Sequence, residues 1–416
     1  MKVVIKGNPE IGGIVENSGS KNSAVAIIPA AILSEGNIIL RNIPDIEDVR
    51  TLILILKKIG YHISFLNNIL IIKRKNKISF KIKSKEVEKL RGSYYFMGSF
   101  LGRLNKVIIN KSGGCDLGSR PIDFHLKGFT QLGASIKEYS NKLSMKAKSL
   151  KGCVINLDFP SVGATINIML VAVKAAGITK IVNCAKEPEV IDVGNFLIAM
   201  GANISGLGTN TIIINGVKHL HGCDYKIISD RIEAGTYLIL GALTKGKGIT
   251  VKNTQPELLS SLINILKDIG CLISIKNNNI LITTKDELKP FQIITNPYPD
   301  FPTDLGQLMA VLATQISGLS TIKETIFSNR FSHIDELKKM GSDITISNNT
   351  ILIQGKCILQ NANLKAFDLR GAAALVLAAI IAKDTTTIEN IETLLRGYEN
   401  PIKKLSALGL DIKLIK

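Results

Sequence analysis

The stretch I-L-K-D-I-G-C-L-I, Ile265 to Ile273, decides how this chain is read. Its apolar residues sit at helical spacing up to Gly270, a natural place for a helix to stop, and Cys271-Leu272-Ile273 then opens a strand. The same form recurs as L-K-K-I-G-Y-H-I-S from Leu56, F-T-Q-L-G-A-S-I from Phe129 and F-L-I-A-M-G-A-N-I from Phe196. It returns as E-L-K-K-M-G-S-D-I from Glu336 and K-L-S-A-L-G-L-D-I from Lys404. The glycines, 60, 133, 201, 270, 341 and 409, are spaced by 73, 68, 69, 71 and 68 residues. A period that even marks six copies of one structural unit.

Outward from each glycine the unit reads the same way. An apolar helix comes first, as in Ser23–Leu33 or Gly235–Leu243, and leads to a strand such as Ile38–Arg41 or Ile249–Lys252. A second, amphipathic helix ends at the glycine, and two short strands follow around Asn-rich turns at Asn67-Asn68, 277–279 and Asn348-Asn349. Alternation of strand and helix predicts an α/β architecture with parallel crossovers. The first long strand of most units ends in Asn (42, 110, 183, 253 and 390), with Glu324 in the fifth. From that residue to the glycine takes 18, 23, 18, 17, 17 and 19 residues, so the second unit alone is long.

The excess falls in Lys111–Asp123, K-S-G-G-C-D-L-G-S-R-P-I-D. Gly113-Gly114 and Gly118 free the backbone on both sides of Cys115, Arg120 stands nearby, and Pro121 suits the first turn of a helix. Packing does not require such an insertion, which predicts a functional loop carrying a thiol. The starts of the first helices also carry charge or free N–H groups: Lys21-Asn22, Arg91, Ser161-Val162-Gly163, Arg231 with Glu233, Asp304 and Arg370. Such ends suit phosphate and carboxylate. Arg120, Arg330 and Arg396 lie on strand-to-helix connections, where a cation opposes the helix dipole and invites an anionic ligand.

A length of 416 residues, 45% hydrophobic and 21% charged, fits two or three globular domains. Met1-Lys2-Val3-Val4-Ile5-Lys6 is too short and too charged for a signal peptide, and the apolar runs Ala24–Leu33 and Gly371–Ala382 are too short to span a bilayer. These features predict a cytoplasmic protein. The net charge of +18 comes from dispersed Lys; with 5% aromatics and no Trp, it points to an anionic small substrate and a Lys-rich coding bias, not to nucleic acid. The six cysteines form no CxxC pair; 153, 184, 271 and 357 read as small core residues. His219, His221 and Cys223 would share one face of a strand, but Gly222 and the exposed character of the segment argue against a metal.

Nine segments in order carry a resemblance: G-S-K-N from Gly19, S-G-G-C-D-L-G-S-R-P-I-D from Ser112, P-S-V-G-A-T from Pro160, K-E-P-E-V-I-D from Lys186, D-R-I-E-A-G-T from Asp230, F-P-T-D from Phe301, F-S-N-R-F from Phe327, F-D-L-R from Phe367 and R-G-Y-E from Arg396. Along its whole length the chain resembles the UDP-N-acetylglucosamine enolpyruvyl transferase (1-carboxyvinyltransferase, MurA) family. The resemblance implies a two-domain inside-out α/β barrel of six repeats, the EPSP synthase-like fold, with three repeats per domain and the active site in the cleft between them. The domains would be 21–229, and 1–20 with 230–416. It implies transfer of the enolpyruvyl group of phosphoenolpyruvate to the 3′-hydroxyl of UDP-N-acetylglucosamine by addition and elimination, with release of phosphate. This is the committed step of peptidoglycan synthesis, run by a monomer without cofactor or metal.

By the same resemblance, Cys115 delivers a proton to the methylene carbon and can be trapped as a covalent phosphoenolpyruvate adduct. Asp304 takes the proton of the sugar hydroxyl. Lys21, Arg120 and Arg396 hold the phosphate and carboxylate of phosphoenolpyruvate, supported by Arg330 and Arg370. Asn22 and Asp304 contact the sugar, with Ile326 near it. Arg120, Pro121, Ile122, Asp123 and Phe124 hold the uracil, and Ser161, Val162 and Gly163 the diphosphate, with Arg91 nearby. Glu187, Glu189, Arg231 and Glu233 would form ion pairs that shape the cleft. Phe159 stands where some members carry a lysine. An N-cap role for Asp304 is the plain alternative to its catalytic one. At the level of the whole protein, the rivals are transfer to shikimate 3-phosphate, by a sister enzyme without the Cys-bearing insertion, and a nucleic-acid-binding repeat protein.

Overall fold

The computed structural model describes residues 1–74, 78–82, 84–111, 122–244, 247–284 and 287–415. These residues divide into two compact units, one of residues 1–18 and 229–415, the other of residues 19–111 and 122–228. Each has its own apolar core. Among the described residues each unit holds three four-stranded sheets, all built to one plan. A short edge strand pairs in parallel with a longer strand, which pairs antiparallel with the second strand of a hairpin, whose first strand takes the far edge. Gln292–Ile294, Gly318–Lys323, Thr350–Gly355 and Asp343–Ser347 form one such sheet in that spatial order.

Three sheets are completed by segments remote in sequence, one of them by Gly13–Glu16, which pairs in parallel with Ile249–Lys252. Lys2–Lys6 lies between Thr385–Glu389 and Ile412–Ile415, where the other sheets have a hairpin strand. Cys223–Lys226 pairs in parallel with Ile38–Arg41 and so closes the first sheet of the other unit. The parallel edge strands, such as Val154–Asn156 and Asn363–Lys365, are only a few residues long and carry no readable alternation. They are the elements that the sequence reading misses.

The first helices, Arg231–Leu243, Thr303–Thr314 and Leu369–Ile381 in one unit and Lys21–Ala30, Tyr95–Leu104 and Val162–Ala172 in the other, are buried almost all round. Their uniformly apolar composition admits no other place. Close approach is bought by small residues: a Cβ on Gly98 would stand 2.6 Å from the carbonyl oxygen of Asn167 on the neighbouring helix. The second helices, such as Glu47–Ile59, bury one face only.

All six motif glycines take left-handed φ, from 89° at Gly341 to 114° at Gly270, as helix termination at each requires. Four of the strand-ending asparagines are also left-handed. Each of these four donates from Nδ2 to the carbonyl just past the parallel edge strand: Asn42 to Ile227 (3.2 Å), Asn183 to Leu157 (2.8 Å), Asn253 to Asn17 (3.0 Å) and Asn390 to Ala366 (3.4 Å). Asn110 differs: it stays on its strand and reaches Glu88.

Two cysteine expectations need correction. Cys184 and Cys271 are buried, but Cys153 and Cys357 are half-buried, because each lies in a connection at the end of a sheet and not on an inward face. No helix among the described residues is long and apolar enough to cross a membrane.

Candidate active site

In the unit that includes the C-terminal half, three buried helices begin close to one another. Asp304 is the second residue of Thr303–Thr314, whose N-cap position is Pro302, so Asp304 does not serve as an N-cap. Its carboxylate instead lies between two guanidinium groups. Arg330 Nη2 donates to Oδ1 at 2.5 Å and Arg370 Nη2 to Oδ2 at 3.0 Å. Both arginine side chains are almost wholly buried, while that of Asp304 keeps 26% of its surface in water. Charge-assisted bonds from two sides fix the carboxylate while leaving an open edge.

Each arginine is held in turn. Asp368 caps Leu369–Ile381 by accepting from the backbone N–H of Arg370 and Gly371, both at 3.0 Å, and also takes the Ser332 hydroxyl. Gln307 donates to the carbonyl of Arg330 at 2.9 Å. Arg370 lies over the ring of Tyr398, whose hydroxyl meets Thr236 at 2.8 Å. Burial works against the charge on Arg370, but Asp304, Tyr398 and Asp230 outweigh it and hold its pKa above the ordinary value. Asp368 is pulled the other way by burial, yet bonding to Gly371 and the nearby Arg330 keep its pKa low. His333, fully buried beside this pair, is pushed down by desolvation.

Glu233 in this unit forms the ion pair expected of it, with Lys404 at 2.6 Å, and accepts from the backbone N–H of Ser18. Arg231 lies over the Tyr298 ring. Ile326 and Arg396 are half-buried on the connections that carry them.

In the other unit, Lys21 and Asn22 open Lys21–Ala30 behind the N-cap Ser20. Lys21 Nζ stands 3.2 Å from Asp48, and Asn22 donates to Glu189 at 3.1 Å. Ser161 caps Val162–Ala172 by accepting from Ala164, which leaves its hydroxyl proton and the first helical N–H groups for a ligand. Beneath this turn lies His125, with ring atoms 3.0–3.1 Å from where a Cβ on Gly163 would be. Asn167 Oδ1 accepts from the Gly98 backbone at 3.0 Å, so its Nδ2 faces His125 Nδ1 at 2.9 Å as donor. His125 is therefore neutral, with its proton on Nε2. Burial, then the charge of Arg91, pushes its pKa down to about 3.

Arg91 lies over the Tyr94 ring, and burial draws it below the ordinary guanidinium value. Ile122 and Phe124 are half-buried and Asp123 is exposed at the start of Asp123–Gln131. Phe159, in place of a cation, is 40% exposed.

Ser112–Pro121 lies outside the described residues, and with it Cys115, Arg120 and Pro121. Two other thiols are poor nucleophiles: burial pushes both Cys223 and Cys271 up to about 11. His219 bonds Glu35 and His221 its neighbour's carbonyl. Among the described residues no three His, Cys, Asp or Glu side chains group to hold a metal.

Sequence reasoning missed Asp48, His125, Asn167, Asp368 and Tyr398. Asp368 and Tyr398 lie in quoted segments, F-D-L-R and R-G-Y-E, and Asp368 had a physical signal as well, an Asp directly before an apolar helical run. The others are partners in space, which spacing along the chain does not reveal.

A family profile described as EPSP synthase (3-phosphoshikimate 1-carboxyvinyltransferase) matches residues 5–405. A UDP-N-acetylglucosamine 1-carboxyvinyltransferase 2 of Listeria monocytogenes is 46% identical over 411 residues, 99% of this chain and 97% of that protein. The Bacillus subtilis protein of the same name is 46% identical over 412 residues, 99% and 96% of the two chains. Among solved structures, the enolpyruvyl transferase NikO from Streptomyces tendae is similar with a TM-score of 0.90 at 24% identity, over 99% of this chain and 98% of that one. An EPSP synthase from Acinetobacter baumannii superposes over the full length of both chains with a TM-score of 0.77 at 20% identity. These two likenesses concern the fold.

Proposed function

Since the chain belongs to the EPSP synthase (3-phosphoshikimate 1-carboxyvinyltransferase) family, we propose that it is the member that transfers the enolpyruvyl group of phosphoenolpyruvate to the 3′-hydroxyl of UDP-N-acetylglucosamine, releasing phosphate. The observation that carries this choice over shikimate 3-phosphate is the 46% identity, end to end, with relatives named for the nucleotide sugar. The product enters peptidoglycan synthesis. The protein acts as a cytoplasmic monomer, without nucleic acid as a partner.

In this reading the sugar 3′-oxygen bonds to C2 of phosphoenolpyruvate, its proton passes to Asp304, and the Cys115 thiol gives a proton to C3. Phosphate then leaves C2 with the proton that Asp304 took, and C3 returns a proton to the Cys115 thiolate as the double bond reforms. Positive charge builds at C2 during both steps, and the substrate itself carries nearly three negative charges. Lys21, Arg120 and Arg396 hold its phosphate and carboxylate, with Arg330 and Arg370 behind Asp304. The two arginines hold the Asp304 carboxylate in orientation, and its open edge is where a hydroxyl would approach.

The diphosphate takes the N–H groups at Ser161–Gly163, with Arg91 adding charge. His125, neutral and fixed by Asn167, supports that turn without adding a second cation. Ile122, Asp123 and Phe124, with Arg120 and Pro121, hold the uracil; Asn22 and Ile326 meet the sugar. The proposal is tested by alkylation with an electrophilic phosphonate: Cys115 is modified, faster with the nucleotide sugar bound. Modification of Cys223 or Cys271 in its place would remove Cys115 from the role.

A further inference from the structure

We infer that Glu324 is a positioning residue, which fixes Asp304 and the loop 326–330 relative to one another; this rests on the reading of Asp304 given above. Glu324 stands where four other repeats have the left-handed Asn that bonds the carbonyl past the edge strand. In this repeat that carbonyl belongs to Thr295, and the Thr325 hydroxyl takes it, while Thr295 Oγ1 accepts from the Thr325 backbone at 3.2 Å. The packing task has moved one residue along the chain, and position 324 is released from it.

The carboxylate at 324 is 2% exposed and fully engaged. Oε2 accepts from the Thr303 hydroxyl at 2.7 Å. Oε1 accepts from the backbone N–H of Ile326 at 2.7 Å and of Phe327 at 3.1 Å. Thr303 precedes Asp304 in the chain. Ile326 and Phe327 open the loop that ends at Arg330, and the Arg330 guanidinium lies over the Phe327 ring. One buried carboxylate thus ties together the two segments whose side chains meet in the 2.5 Å contact between Arg330 and Asp304. Nothing in the repeat plan calls for an acid there, since the neighbouring repeats close the same junction with an amide.

The test compares three variants at this position. E324N restores the residue of the other repeats, E324A removes the acceptor, and E324Q keeps an oxygen for the two backbone N–H groups while its amide can donate to Thr303. Hydrogen exchange reads the placement directly. The amides of Ile326 and Phe327 should lose protection in E324A and E324N and keep it in E324Q. Steady-state phosphate release reads the consequence. E324A and E324N should lose kcat by about tenfold to a hundredfold, as misplacement of a reacting group by about 1 Å does, with E324Q rescuing most of it. E324N should melt close to the unaltered protein, which separates positioning from stability.

Unchanged exchange at Ile326 and Phe327 in E324A and E324N would overturn the inference. So would unchanged kcat in both variants, or a loss that E324Q shares in full. If the unaltered protein releases no phosphate, the functional reading fails, and the exchange data still decide the positioning role.

Discussion

At the scale of single residues, the candidate site rests on a few buried charges held between named partners. Asp304 accepts from two arginines that are each 3% exposed. Its replacement by Asn removes the one carboxylate that both guanidinium groups share, leaving Arg370 to Asp230 and Tyr398 and Arg330 to Asp368. The cost should be about 3 kcal/mol, the low end for breaking a buried pair, because Asp304 is itself partly in water. Urea unfolding at neutral pH should show that loss, and an unchanged midpoint would contradict the geometry. His125 gives a pH test. Its pKa of about 3 lies below the value near 6.5 of an unfolded chain, so as pH falls below about 6.5 the unfolded state takes up a proton that the folded state refuses. Stability therefore falls with pH in that window, by up to about 1.4 kcal/mol per unit for this group. H125Q, which retains an acceptor for Asn167, should flatten the slope between about pH 6 and 4. An equal slope would mean that His125 is protonated in the fold.

At the scale of elements, one plan is used six times, and its punctuation was legible because backbone geometry restricts which residues can supply it. Gly270 and its five equivalents had to be left-handed to end their helices, and they are. Asn42, Asn183, Asn253 and Asn390 were legible as strand ends for the same reason, although their bonds to the edge-strand carbonyl were not. Gly409 isolates the conformational term, since its φ is 97° and a Cβ there would touch nothing within 4 Å. G409A should cost about 1–2 kcal/mol through φ alone, and G409N less, because Asn tolerates the left-handed region. Thermal unfolding of the two variants measures the difference; equal melting of G409A and the unaltered protein would show that the helix end does not depend on it. The parallel edge strands stayed hidden because three residues such as Gln292–Ile294 form no period, and their place is set by a partner strand far along the chain.

At the scale of the whole molecule, six repeats were readable from glycine spacing, whereas the closure of three sheets by Lys2–Lys6, Gly13–Glu16 and Cys223–Lys226 depends on pairing that no local pattern states. The charged residues at helix starts were readable one by one. What joins them is not: Asp304 is clasped by Arg330 of its own repeat and Arg370 of the next, and the neutral His125 of one repeat lies under Gly163 of another. Measuring inorganic phosphate after adding phosphoenolpyruvate and UDP-N-acetylglucosamine, together and singly, reads the chemistry of the protein itself. Release should occur with both and not with either alone. No release with both, or equal release when shikimate 3-phosphate replaces the nucleotide sugar, would contradict the proposed transfer.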